Sequence, residues 1–322
     1  MERARSLTVS LGLYNVAKEE QNRIIPPLSS IPPVSGEWIR WGGPVVHSNL
    51  ATEGAILFLH GGGFFMGSAK SHRAINFRLS RASGKSIFSA NYRLAPEHPF
   101  PAALEDAIAA FMYMTMEMDI PAHRIILCGD SAGGCLAVQV SMALRDMDQA
   151  IPGGVVMWSP WLDVMHSSPS IDSASADYLP DPRRQLGPCP GLWDGVHYYA
   201  PEPDMLRHPW VSPHYKEDLS GLPPMLIQCG QAERLRDEAV SFAARASLDR
   251  QDQGHVYEDM PHVWHNFATV PLAQEALDRT ANFTQVVLDD SVKEGKDDGT
   301  RIGWGKWKVG HGGIVSPYHH DE

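Results

Sequence analysis

Short apolar runs recur between about residue 54 and residue 260, and stretches with helical spacing of apolar positions separate them. The runs are five to eight residues long and mostly apolar throughout, which is typical of strands buried on both faces of a sheet. The predicted strands are Gly54–His60, Lys85–Tyr92, Arg124–Cys128, Gly154–Trp158, Pro224–Cys229 and His255–Asp259. The predicted helices are Ser68–Ser83, Pro101–Met118, Ala132–Arg145, Arg236–Leu248 and Leu272–Leu288. This alternation predicts an α/β fold with a mostly parallel central sheet that helices cover on both faces.

Three segments depart from the alternation. Residues 1–35 are polar to amphipathic and end in two proline pairs, while 289–322 is rich in Gly, Lys and Asp. Residues 160–224 contain twelve of the 25 prolines together with several Trp and Tyr side chains. We therefore predict one domain, 1–288, which carries an irregular insertion with an apolar lining. A flexible or loosely docked tail, 289–322, is predicted to follow it.

Composition and charge narrow the class of protein. The 322 residues are 43% hydrophobic and 20% charged, and the formal net charge of −11 argues against nucleic acid or an anionic membrane surface as the main partner. The four cysteines show neither paired spacing nor a C-x-x-C motif, which is typical of free thiols in a reducing compartment. No window approaches the roughly 18 apolar residues of a membrane span. Without a convincing signal peptide, we expect a cytoplasmic protein.

The most specific motif is the run Gly129-Asp130-Ser131-Ala132-Gly133-Gly134, which contains the pattern G-x-S-x-G. It lies between a predicted strand and a predicted helix. In that context the sharp turn exposes the serine hydroxyl at the edge of the sheet, and glycines avoid clashes with the neighbouring strand and helix. The sequence therefore predicts Ser131 as a nucleophile.

A second glycine-rich run, His60-Gly61-Gly62-Gly63-Phe64, follows the first predicted strand. Bare backbone N–H groups in such a run can point at one oxygen atom, as an oxyanion hole requires. Neither G-x-G-x-x-G nor a following Lys-Ser/Thr is present, which argues against a nucleotide site. The predicted oxyanion donors are the N–H groups of Gly62, Gly63 and Ala132.

A serine nucleophile needs a histidine base, and in this fold the histidine comes last in the chain order. His262 lies in the loop after the strand His255–Asp259 and is the predicted base. His265, three residues further along, is the alternative.

The base needs a carboxylate that orients it. Glu233 lies in the loop after the strand Pro224–Cys229, where a turn could direct it at His262. Asp237 is the alternative, although it falls within the next helix, where an acidic residue more commonly pairs with the positive end of the helix dipole.

The sequence resembles the hormone-sensitive lipase-like esterases of the α/β-hydrolase fold. Five segments carry the resemblance in the order typical of that family: HGGGF (60–64), NYRLAPEHPFPAALED (91–106), GDSAGG (129–134), SPWLD (159–163) and PHVW (261–264). The resemblance implies a Ser-acid-His esterase without a metal or cofactor. It also implies a cap from about 1–40 and 162–220, and makes a homodimer plausible. One departure is Glu233, which stands where the family usually has aspartate.

The predicted function is hydrolysis of a carboxylic ester, apolar or bulky, through an acyl-enzyme at Ser131. The same site could serve an amidase, a lactonase or an acyltransferase that acts on a natural product. Two further alternatives are a non-catalytic small-molecule receptor and a hydrolase that uses Cys135, whose position within a predicted helix argues against it. Neither a metal site nor a cofactor is predicted, and the partner is a small-molecule ester.

Overall fold

One ten-stranded sheet runs through the part of the chain that the computed structural model describes, residues 2–3, 34–174, 176–179, 198–200, 202–246, 253–289, 306–309 and 315–317. The strands are β1 (Glu2–Arg3), β2 (Ser35–Ile39), β3 (Ala55–Leu59), β4 (Ser86–Asn91), β5 (Ile125–Asp130), β6 (Gly154–Trp158), β7 (Met225–Gly230), β8 (Gln253–Tyr257), β9 (Lys306–Val309) and β10 (Val315–Pro317). Their order is β1-β2-β4-β3-β5-β6-β7-β8-β9-β10. The pairs β1–β2, β2–β4 and β9–β10 are antiparallel and the other pairs are parallel. The predicted α/β class with a mostly parallel sheet is confirmed.

Helices alternate with these strands as the apolar spacing predicts. They are α1 (Leu50–Glu53), α2 (Arg73–Ser83), α3 (Ala102–Met112), α4 (Ala132–Asp146), α5 (Ser170–Ser173), α6 (Arg236–Ala246) and α7 (Pro271–Leu288). Single 3₁₀ turns lie at His47–Asn49, Ala122–Arg124, Pro203–Met205, Pro213–Tyr215 and Trp264–Asn266, and a π-helical turn spans Tyr113–Glu117.

Two helix boundaries differ from the prediction by more than two residues. The helix predicted from Ser68 begins only at Arg73, because Ser68 and Ser71 exchange backbone-to-hydroxyl hydrogen bonds of 2.9 and 3.1 Å that hold a separate turn. The helix predicted over 101–118 ends as an α-helix at Met112 and continues as the π-helical turn.

The hydrophobic core lies on both faces of the sheet. Along β3, Leu57 and Leu59 belong to the larger core cluster, which packs under α3, α4 and α6. The alternate residues Ile56 and Phe58 face the smaller cluster under α2 and α7. All of these side chains are fully buried, which explains why the strand reads as a continuous apolar run.

Four of the parallel strands end at the same edge of the sheet. The predicted site residues follow β3, β5, β7 and β8, which lie within one run of neighbours interrupted only by β6. The carboxyl ends of parallel strands form the crevice in which α/β proteins bind ligands. The topology therefore gathers residues that lie up to two hundred positions apart in sequence.

The ends of the chain add strands that the apolar pattern did not predict. Ser35–Ile39, which lies within the predicted cap segment 1–40, pairs with β4, and β9 and β10 extend the sheet beyond β8. Residues 4–33 and most of 289–322 lie outside the described residues, so the cap contribution of the N-terminal segment and the mobility of the tail stay predictions. No helix among the described residues is both long and apolar enough to cross a membrane.

A buried histidine in β8 makes stability depend on pH. Burial lowers the pKa of His255 from 6.5 to about 3. Between pH 6.5 and pH 3 the histidine is therefore protonated in the unfolded chain but neutral in the folded chain. Its contribution to stability is fully present above pH 6.5 and decreases as the pH falls toward 3. For this one group we expect a loss of about 3 kcal/mol in the free energy of unfolding at pH 4.

Urea unfolding at a series of pH values from 7.5 to 4 would measure this loss. We expect His255→Gln to show a shallower decrease than the wild type. His98→Gln, which changes an exposed histidine, should follow the wild-type curve. Parallel curves for the wild type and His255→Gln would contradict the assignment.

Candidate active site

Ser131 occupies a strained turn between β5 and α4. Its backbone angles, φ 52° and ψ −119°, lie in a region that non-glycine residues rarely adopt. The glycines on either side permit the turn, because a Cβ atom on Gly133 would lie 2.0 Å from the carbonyl oxygen of Leu59. The chain thus passes from strand to helix within one residue and leaves the hydroxyl at the edge of the sheet.

His262 lies directly beside the Ser131 hydroxyl. The distance from His262 Nε2 to Ser131 Oγ is 3.0 Å, a hydrogen-bonding distance at which the hydroxyl can donate to the imidazole. The imidazole is buried, and its loop is fixed by the Ser159 hydroxyl, which accepts the N–H of Val263 at 3.0 Å. Ser159 belongs to the SPWLD segment.

Glu233 contacts the opposite nitrogen of the same imidazole. Its Oε2 lies 3.4 Å from His262 Nδ1, and the carboxylate is fully buried. This burial raises the pKa of Glu233, and the nearby His262 and Ser159 side chains oppose the increase. The alternative acid, Asp237, instead lies in the first turn of α6, with an oxygen 2.7 Å from Arg236 Nε.

The alternative base, His265, is enclosed away from the serine. Its Nε2 lies 3.1 Å from Gln228 Oε1, and its ring stacks on Trp158 with centroids 4.8 Å apart. Burial holds the pKa of His265 well below its usual value. These contacts give His265 a structural place in the core, so the structure brings His262 rather than His265 to Ser131.

The glycine loop after β3 adopts conformations that favour glycine. Gly62 and Gly63 have φ angles of 119° and 60°, and a Cβ atom on Gly62 would lie 2.2 Å from the carbonyl oxygen of Met66. The Tyr198 hydroxyl, from the insertion, donates to the carbonyl oxygen of Gly63 at 2.7 Å. These features fix a tight loop beside Ser131, where Gly62 and Gly63 line the same cavity as the serine.

Asp130 supports the glycine loop from below. Its carboxylate accepts the N–H of Gly61 at 2.9 Å and lies 3.3 Å from His72 Nε2. Although burial raises its pKa, the neighbouring His72 holds the pKa of Asp130 below its usual value.

The ring of His60 stacks on Tyr92 at 4.2 Å, and burial lowers the pKa of His60 to about 4. Asp130 and His60 therefore support the glycine loop rather than act at Ser131.

A cavity of about 580 Å³ opens over Ser131 and His262. Its wall combines the glycine loop with apolar and aromatic side chains of the insertion and of the neighbouring loops. These include Phe65, Met66, Trp161, Tyr178, Leu179 and Leu235. A cavity of this size with few polar groups is typical of a site for a small organic molecule.

The cysteine alternative finds no support in the geometry. Cys135 lies inside α4, is fully buried, and its pKa is raised well above the usual value by that burial. Cys128 and Cys229 are likewise buried free thiols, and Cys189 lies outside the described residues. Within the described ranges, no group of three or more His, Cys, Asp or Glu side chains is arranged to hold a metal ion.

The family comparison agrees with this geometry. A family model described as the alpha/beta hydrolase fold matches residues 56–266, which include the glycine loop, Ser131, Glu233 and His262. The chain belongs to the α/β-hydrolase fold family. The predicted resemblance to its hormone-sensitive lipase-like esterases is confirmed by the relatives that follow.

Two curated relatives and one solved structure illustrate where this α/β-hydrolase belongs. It is 37% identical over 242 residues to an acetyl-hydrolase of Streptomyces hygroscopicus, an alignment that covers 74% of this chain and 77% of the relative. It is 32% identical over 275 residues to an esterase of Acinetobacter venetianus, covering 83% and 86%. A hormone-sensitive lipase from a metagenome library superposes with a TM-score of 0.67 at 32% identity, covering 74% of this chain and 79% of that one.

These comparisons confirm the prediction that this α/β-hydrolase is an enzyme of the carboxylesterase type. The homodimer, the exclusion of nucleic acid and the cytoplasmic location stay predictions.

Proposed function

We propose that the protein hydrolyses a carboxylic ester through an acyl-enzyme on Ser131. The observation that carries the proposal is the line of contacts from Ser131 Oγ to His262 Nε2 at 3.0 Å and from His262 Nδ1 to Glu233 Oε2 at 3.4 Å, at the floor of an apolar cavity. This is the geometry by which a base activates a serine and a carboxylate orients the base.

Acylation begins when Ser131 Oγ bonds to the acyl carbon of the ester and its proton passes to His262 Nε2. The resulting imidazolium is stabilised by the buried carboxylate of Glu233. His262 then gives the proton to the departing alkoxide, and the alcohol leaves while the acyl group stays on Ser131. Water repeats the sequence in the second half: its proton passes to His262, its oxygen bonds to the acyl carbon, and Ser131 recovers the proton as the acid leaves.

The negative charge on the carbonyl oxygen is held by the N–H groups of Gly62, Gly63 and Ala132. The first two belong to the tight glycine loop, and the third opens α4, whose N-terminal dipole favours negative charge. The loop conformation therefore supports the role of these donors.

Alanine at Gly62 tests the loop directly. We expect Gly62→Ala to lower kcat by about 10²- to 10³-fold, the typical cost of one lost oxyanion donor, because the new Cβ atom would force the loop off the Met66 carbonyl. Gly84→Ala is the matched control, since Gly84 also has a positive φ, 67°, but has open space around it and lies far from Ser131 in the fold, at the end of α2. Steady-state kinetics on both variants would settle the point, and equal losses of kcat would contradict it.

The substrate we propose is a neutral ester with an apolar acyl group of short to medium length. The apolar cavity wall supports an uncharged substrate, and the acetyl-hydrolase relative supports a small acyl group. An apolar or bulky alcohol portion would occupy the remaining part of the cavity, against the aromatic side chains of the insertion.

A series of p-nitrophenyl esters of increasing acyl length measures this preference. We expect kcat/KM to be highest from acetate to hexanoate and to decrease for decanoate and longer chains. A maximum at the longest chains would contradict the proposed acyl length.

Chromatography of the products should show free acid and alcohol, whereas transfer to an added alcohol or amine in preference to water would favour the acyltransferase alternative.

A further inference from the structure

One carboxylate of the insertion binds the backbone of both loops that carry the proposed acid and base. Asp177 accepts the N–H of His262 at 3.0 Å through Oδ1 and the N–H of Arg234 at 2.9 Å through Oδ2. The side chain is buried, with 8% of its residue surface exposed. Its two oxygens therefore join segments that lie 85 and 57 positions away in the sequence.

Both donors belong to the proposed triad or adjoin it. One N–H is that of His262 itself, and the other belongs to the residue that directly follows Glu233. The two loops are also joined directly: the N–H groups of Gln231 and Ala232 donate to the carbonyl oxygens of Tyr257 and Met260 at 2.8 and 3.1 Å. The N–H of Asp259 donates to Gln231 Oε1 at 3.4 Å. Asp177 differs from these contacts because it binds the backbone of His262 itself and of the residue that directly follows Glu233.

The segment that carries Asp177 is itself attached to the acid loop. The Ser170 hydroxyl donates to the carbonyl oxygen of Arg234 at 2.6 Å and accepts the N–H of Asp237 at 3.1 Å. Arg234 Nε donates to the carbonyl oxygen of Leu179 at 3.0 Å. These hydrogen bonds attach the chain to the acid loop on both sides of Asp177. The position of its carboxylate relative to the acid loop is therefore fixed, and through this carboxylate so is the position of the His262 backbone.

The contact between Glu233 and His262 is sensitive to such positioning. At 3.4 Å it is longer than a good charge-assisted hydrogen bond, which measures about 2.7–2.9 Å, so the strength of this contact depends on how closely the two loops are held together. A misplacement of about 1 Å in an active site can cost about 10²-fold in rate.

We propose that Asp177 is a positioning residue that fixes the spacing between Glu233 and His262. This inference rests on the proposed function, because it requires that pair to act in catalysis. Asp177 does not touch the reacting atoms and acts through the two loops. The insertion therefore contributes to the chemistry as well as to the cavity wall.

Kinetics of Asp177 variants test the proposal. We expect Asp177→Ala to lower kcat by about 100-fold and Asp177→Asn by about 10-fold, since asparagine keeps one of the two acceptor oxygens, while KM changes by less than about threefold. Asp204→Ala is the matched control, because Asp204 is an exposed aspartate of the same insertion, and it should keep wild-type kinetics. Comparable losses for Asp204→Ala, or a loss confined to KM, would overturn the proposal.

A double-mutant cycle separates positioning from a general structural role. In the Glu233→Ala background the pair that Asp177 aligns is already absent, so adding Asp177→Ala should lower kcat by less than about threefold. If the two effects multiply, Asp177 acts independently of the pair and the proposal is wrong. Thermal unfolding of each variant identifies any that fail to fold, and Asp177→Asn, which removes no atoms from the packed segment, then carries the comparison.

The variant His262→Ala distinguishes this inference from the function beneath it. If His262→Ala is inactive while both Asp177 variants match the wild type, only the positioning role is wrong. If His262→Ala keeps wild-type activity, the proposed triad is wrong and the role of Asp177 is overturned with it.

Discussion

Ser131→Ala is expected to lower kcat for p-nitrophenyl acetate by about 10⁶-fold, the loss typical of removing the nucleophile of a serine hydrolase. Alanine removes the oxygen that lies 3.0 Å from His262 Nε2 and keeps the rest of the side chain. The strained backbone at position 131 stays, because alanine meets the same φ restriction as serine. The expected loss is therefore chemical, and the variant should unfold at a temperature close to that of the wild type.

Cys135→Ala is the matched control for this experiment. Cys135 lies four residues further along, inside α4, where its thiol is fully buried and its pKa is raised. We expect this variant to keep kcat within a few-fold of the wild-type value. Full activity in Ser131→Ala together with inactivity in Cys135→Ala would reverse the assignment and favour the cysteine hydrolase.

Glu233→Ala is expected to lower kcat by about 10⁴-fold, which is the order of loss for the carboxylate of a serine-histidine-acid triad. Without Glu233, the developing imidazolium would lie in a buried site that lacks its partner charge. Asp237→Ala should change kcat by less than about tenfold, since Asp237 pairs with Arg236 at the start of α6 rather than with His262. Steady-state kinetics on the two single variants makes the comparison.

The reverse result would identify a different acid. If Asp237→Ala were inactive while Glu233→Ala kept its activity, the carboxylate that orients His262 would be Asp237 and the geometry at Glu233 would be incidental. Glu233→Asp adds a graded test, because the shorter side chain should retract the carboxylate from His262 Nδ1. We expect its activity to lie between those of the wild type and Glu233→Ala.

The features that the sequence predicted well are local in the chain. The apolar runs that became β3 to β8 are recognisable because both faces of each strand are buried, so no alternation obscures them. The turn at Ser131 is recognisable because only glycine fits beside Leu59 and at the crossing of strand and helix. The order of strand, loop and helix then places His262 and Glu233 at the same edge of the sheet.

The features that it missed depend on long-range geometry. Asp177 lies in a proline-rich insertion in which apolar residues show no regular spacing. Its partners are backbone N–H groups, which almost every residue type has, so the sequence does not identify them. The hydroxyl of Ser159 likewise binds a backbone N–H group, that of Val263. The resemblance identified the SPWLD segment that contains Ser159 but not this contact. The choice between Glu233 and Asp237 turned on the direction of a loop relative to α6, which only the fold determines. Strand β2 was not predicted because only two of its five residues, Trp38 and Ile39, have large apolar side chains.

The central claim, that Ser131 is the nucleophile of the site, is tested most directly by covalent labelling. The wild-type protein would be treated with a fluorophosphonate, and the labelled peptide would be identified by mass spectrometry. We predict one adduct per chain, located on Ser131, and no adduct in Ser131→Ala. Absence of labelling in the folded wild type, or an adduct on another residue, would contradict the account.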